Sequence, residues 1–161
     1  MKTAEVNTMD SENKAEGLNM IESALAFWFR TSDHIRSPFP DYIQGELRTI
    51  AKDKFIKWTK RINDGAKKEV NDEILSEKFE EILFEQALLM VVTEDEKLTI
   101  RYPFMPRIND VINVQQRPDE ATKSCVTDRW YMKRGDDGIL KVKLKNLSTG
   151  DVWETEFELP E

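Results

Sequence analysis

Residues 125 to 134, "CVTDRWYMKR", gather the only cysteine, one of four tryptophans, a tyrosine and three basic side chains into one short stretch. Three readings fit that set: a reactive thiol, an aromatic and basic platform for nucleic acid, or simply one strand of a sheet. A thiol nucleophile acts as the thiolate and needs a base and an orienting group beside it. The sole histidine, His34, lies far upstream in the proline-bordered stretch "TSDHIRSPFPDY", and nothing around Cys125 has the form of a cysteine-enzyme motif. Cys125 therefore reads as a small apolar strand residue.

Other site chemistries find no better support. Zinc draws three or four ligands from His, Cys and carboxylates, and one Cys with one His makes a poor set. "RGDDG" lacks the further oxygen ligands of a calcium loop and reads as a hairpin turn. The six glycines form neither a G-x-x-x-x-G-K-[ST] nor a G-x-G-x-x-G phosphate cradle, and there is no G-x-S-x-G elbow. Among 31 Asp and Glu residues no acid and base pair can be singled out. Neither a metal nor a cofactor is expected, and the chain reads as non-enzymatic.

Charge narrows the partners. With 24 Lys and Arg against 31 Asp and Glu, the net charge of −7 disfavours nucleic acid and anionic lipid and favours a basic partner. "KDKFIKWTKR" mixes basic residues with Phe55 and Trp58, but those two aromatics fall in an apolar stripe, so a solvated helix face is the simpler reading. No run approaches the ~18 apolar residues of a membrane helix, and "MKTAEVNTMDSENKAEG" has no export-signal core. A lone cysteine forms no internal disulfide. These features predict a soluble, cytoplasmic chain with a flexible segment over 1–10 and a single α+β domain over 11–161.

Helical spacing organises the first part. Leu18, Ile21, Leu25 and Trp28 share one face of a helix expected from about Glu12 to Arg30, capped by Asp10 or Ser11. Leu47, Ala51, Phe55, Trp58 and Ile62 do so on a second, which Asp41 can cap and Gly65 can end. A third begins after Asn71 and turns Leu75, Phe79, Ile82 and Leu83 inward. Basic residues crowd the second helix and acidic ones the third, so an antiparallel pair with partly neutralised edges is expected.

Alternation organises the rest. "LTIRYPF" places Leu98, Ile100, Tyr102 and Phe104 on one side of a predicted strand, and "DVINV" suggests a short one. "ILKVKLK" and "VWETEFEL" form a hairpin in which Leu144 faces Trp153, Lys143 faces Glu154 and Lys141 faces Glu156. "VTDRWYMKR" supplies the preceding strand. With Met132 opposite Leu140, Trp130 falls on the core side, and Cys125, Thr127, Arg129, Tyr131 and Lys133 on the other.

The expected architecture is α+β: three N-terminal helices packed on one face of an antiparallel sheet of four to six strands ending in a meander. The function it suggests is protein binding, as in an immunity protein, chaperone or adaptor, through a mixed-charge sheet surface with Arg129 and Tyr131 as contacts. A homodimer through the open meander edge also fits. The same outline resembles nuclear-transport-factor-2-like folds, which enclose a cone-shaped pocket. That resemblance implies a small-molecule carrier or an enzyme, with its site among Trp28, Tyr102, Arg107, Asp128 and Trp130.

Overall fold

The computed structural model describes residues 19–30, 36–62, 71–113 and 123–160. Among them are four helices and one four-stranded antiparallel sheet, an α+β fold. The chain divides into two units, one up to Val92 and one from Thr93 onward. The expected caps at Asp10, Ser11 and Gly65, and His34 itself, lie outside the described residues.

The first unit is built from α1 (19–29), α2 (Asp41–Arg61) and α3 (Asp72–Met90). Two prolines extend the chain before α2; Pro40 takes the N-cap position, and Asp41 stands in the first turn, where its charge suits the helix dipole. Asn71 caps α3 as its sequence position predicts, its side-chain oxygen accepting from Ile74 N at 2.9 Å. The helix ends at Met90, and Val91 is extended but joins no strand.

Aromatic rings knit the three helices. Phe55 meets Phe79 edge-on at 5.4 Å between centroids, while Phe39, just before α2, meets Phe84 at 5.2 Å. Early residues of one element thus face late residues of the other, so α2 and α3 run antiparallel. Phe84 also receives Trp28 of α1 edge-on at 4.7 Å. Each such contact contributes about 0.5–1.5 kcal/mol beyond the area it buries. Leu25, Leu47, Ala51, Phe79, Leu83 and Ala87 fill the middle with no exposure at all. Charge neutralisation between α2 and α3 does not follow as expected. The described ion pairs of these helices are Lys57 with Asp53, Lys78 with Glu81, and Lys52 with Glu22 of α1.

The second unit opens with a helix where alternation predicts a strand. "LTIRYPF" is not a strand: Glu94–Arg101 is α4. Thr93 accepts from Glu96 N through its hydroxyl, and the Glu96 carboxylate accepts from Thr93 N in return, a capping box followed by Glu94, Asp95 and Glu96 in the first turn. That local chemistry outweighs the alternation of four apolar residues. Leu98 and Ile100 are still buried, but Phe104 is 82% exposed.

The sheet runs in the order β1 (Val111–Ile112), β2 (Ser124–Arg134), β3 (Asp137–Asn146), β4 (Val152–Glu158). Between β3 and β4 the register is the expected one: Leu144 opposite Trp153, Lys143 opposite Glu154, Lys141 opposite Glu156. Asn146 closes that hairpin, its side-chain oxygen accepting from Ser148 N and Thr149 N, with Gly150 at φ 77°. Leu98 of α4, Val126, Leu140, Val142 and Leu144 form the core, with Tyr102, Met105, Ile108, Trp153 and Phe157 packed around it.

The register between β2 and β3 differs from expectation by one residue. The turn is Gly135-Asp136, with Gly135 at φ 64°, so Arg134 pairs with Asp137, Met132 with Ile139 and Trp130 with Lys141. A bulge between Val126 and Asp128 then shifts the pairing again, returning Val126 to the side of Leu144. The two irregularities together turn Val126 and Arg129 inward, although their separation is odd.

If the capping box sets the start of α4, Thr93→Ala lowers stability by about 1 kcal/mol. Urea unfolding checks this; an unchanged midpoint would mean that tertiary packing alone holds the helix.

Candidate functional site

Arg129 was expected on the open face of the sheet and is instead buried, its side chain only 1% exposed. A buried guanidinium is tolerable only when paired and fully hydrogen-bonded. Here Nε donates to Asp95 Oδ1 at 2.6 Å, Nη1 to Pro106 O at 2.8 Å, and Nη2 to Asp95 O at 3.0 Å and to Thr99 Oγ1. One side chain thereby joins β2 to both turns of α4 and to the loop that follows. Each of its three nitrogens is bonded within the unit, so Arg129 ties β2 to α4 and is not an exposed contact.

Tyr131 follows Arg129 on the same side, opposite Leu140, where the core thins out. Its ring lies close over Gly138, where an added Cβ would come within 3.1 Å of the ring, and it remains 47% exposed. Of the residues proposed to line a pocket, Trp28 belongs to the helical unit, where its indole donates to Glu80 Oε1 at 3.2 Å. The other four belong to the sheet unit. Tyr102 ends α4 and packs on the core. Arg107 donates from its backbone to Asp110 Oδ2 at 2.8 Å and from Nη2 to Pro103 O at 3.1 Å, closing its own loop. Asp128 is exposed and accepts from Arg129 N, and Trp130 lies half-buried opposite Lys141.

The pleat places Trp130, Met132 and Arg134 of β2 on the outer face with Lys141, Lys143 and Lys145 of β3 and Glu154, Glu156 and Glu158 of β4. Cys125 is there too, half-buried opposite Lys145. Arg134 reaches across to Glu156 with both nitrogens, at 2.8 and 2.9 Å, and Lys141 adds a contact at 3.4 Å. The registers put buried Ile139 midway beneath that bridge. Bonded to Arg134 first of all, the Glu156 carboxyl is held below its ordinary value of 4.5. Glu154 and Glu158 make no ion pair with another described residue, although Lys143 stands opposite Glu154. The outer face thus combines the half-buried Trp130, Met132 and Cys125 with rows of opposite charge, and β4 lies at the sheet's edge.

Sequence spacing located this face correctly on β3 and β4 but not on β2. The signal for Arg129 was present but distributed: an acidic residue in the first turn of a capped helix, Asp95, and a hydroxyl one turn on, Thr99. Among the described residues no group of three or more His, Cys, Asp and Glu side chains is placed to hold a metal ion, and no helix is long and apolar enough to cross a membrane.

Removing Asp95 strands a buried cation, whereas removing Arg129 leaves a carboxylate whose side chain is 40% exposed and which water can reach. Asp95→Ala should therefore cost more stability than Arg129→Met, approaching the lower end of the roughly 3–5 kcal/mol typical of a broken buried pair. Chemical denaturation of both variants measures this, and the reverse order would refute it.

Because the folded carboxyl of Glu156 ionises below 4.5, its stabilising effect is complete above that value and fades as pH falls through the folded value. An NMR titration of Glu156 should show the depression, and Arg134→Gln should move it back towards 4.5; a carboxyl unaffected by that change would contradict the assignment.

Set against protein-family models, curated proteins and solved structures, the chain matches none of them.

Proposed function

We propose that the chain is a non-enzymatic, intracellular protein-binding module that docks a basic partner segment on the outer face of its sheet. The observation that carries this reading is the edge row of Glu154 and Glu158, exposed and without ion-pair partners among the described residues, on the same face as Trp130 and Met132 and separated from them by β3. Interfaces commonly join apolar anchors to a polar rim, and aromatic anchors supply most of the energy. A net charge of −7 steers a basic partner from a distance, and the association weakens as salt screens it. The inner face supports the reading by being filled with its own core, so a site on this sheet falls on the outer face.

Affinity capture from native lysate should recover a stoichiometric protein with the wild-type chain, and lose it with Trp130→Ala combined with Glu154→Lys and Glu158→Lys. No stoichiometric protein, or one retained by the triple variant, would overturn the proposal.

A further inference from the structure

Within the helical unit, α2 and α3 frame a second surface that the sheet-face reading does not use. An open groove of about 710 Å³ runs between them, with Ile50, Trp58 and Ile82 forming its apolar floor. Lys54, Lys57 and Arg61 stand along its α2 side, spaced so that they share one stripe of the helix, and Lys78 faces them from α3. Among the described residues Asp53 is the only acidic one in the lining, and it is already bound to Lys57 at 2.9 Å. Lys78 is shared with Glu81 at 3.4 Å. Lys54 and Arg61 are exposed and make no ion pair with any described residue. A concave site that gathers four cations in a chain of net charge −7 is a local reversal of the molecule's field.

Two polyanions could answer that charge, and Trp58 decides between them. A single-stranded nucleic acid needs open aromatic faces on which bases stack. The Trp58 ring already has Phe55 stacked against it at 5.8 Å and Lys78 Nζ 5.7 Å from its centroid. It serves as floor, not as platform. The acidic remainder of the chain also repels the long phosphate backbone that such binding follows. Carboxylates on a peptide are shorter-reaching and can be interleaved with an apolar side chain, which suits the floor.

We propose that the groove between α2 and α3 binds an acidic peptide segment, its carboxylates held by Lys54, Lys57 and Arg61 and an apolar side chain set against Trp58 and Ile82.

The test uses the full chain and a short fluorescent peptide of alternating Glu and Leu, followed by anisotropy at low salt. Lys54→Glu with Arg61→Glu should weaken binding about 10-fold or more, equivalent to about 1.4 kcal/mol, while circular dichroism stays unchanged. Lys60→Glu, on α2 but not lining the groove, should change affinity far less. The triple sheet-face variant should leave binding intact, which separates this site from the outer face of the sheet. Absence of binding to the wild type, equal losses in the Lys60 and groove variants, or tighter binding of an oligothymidylate would each overturn the proposal.

Discussion

One buried cation organises the sheet unit. Arg129 is the point where α4, the loop after it and β2 meet, and its guanidinium is satisfied by Asp95, Thr99 and the Pro106 carbonyl. Its desolvation makes the arrangement specific. An Arg turned inward without those acceptors carries a large desolvation cost, so burial of Arg129 depends on the helix that presents Asp95 and Thr99. The capping box at Thr93 and Glu96 thus contributes beyond its own hydrogen bonds, because the helix it starts presents Asp95 and Thr99 to Arg129.

From that constraint follows the division of the sheet's faces. The bulge between Val126 and Asp128 lets Val126 and Arg129 both turn inward, and the two-residue turn at Gly135-Asp136 carries the altered register to the end of β2. Trp130 and Met132 are consequently turned outward, beside the lysine row of β3. A surface with apolar anchors and opposite charges is therefore the counterpart of a buried ion pair on the other side. The helical unit is held differently, by rings meeting edge-on and by small residues such as Ala51 and Ala87 at its centre.

The sequence made some of this legible and concealed the rest for physical reasons. Asn71 announced α3 because an Asn N-cap has one dominant use, and the β3 and β4 register was readable because apolar and charged rows agreed on a single alignment. "LTIRYPF" misled because alternation over so few residues is shared by strands and buried short helices, while the deciding Thr93 and Glu96 lay in what resembled a turn. The face of β2 was lost through one residue of turn length, since side chains alternate with a period of two. The groove residues were visible as a basic helix, but their gathering with Lys78 and Ile82 required the antiparallel pairing of α2 and α3.

The most direct measurement of the central constraint is hydrogen exchange at the Arg129 Nε proton, followed by NMR on labelled protein. A guanidinium bonded to Asp95 inside the core predicts a slowly exchanging Nε–H with through-space contacts to α4. An Nε–H that exchanges as fast as that of a surface arginine, with no contact to Thr99 or Asp95, would contradict the account.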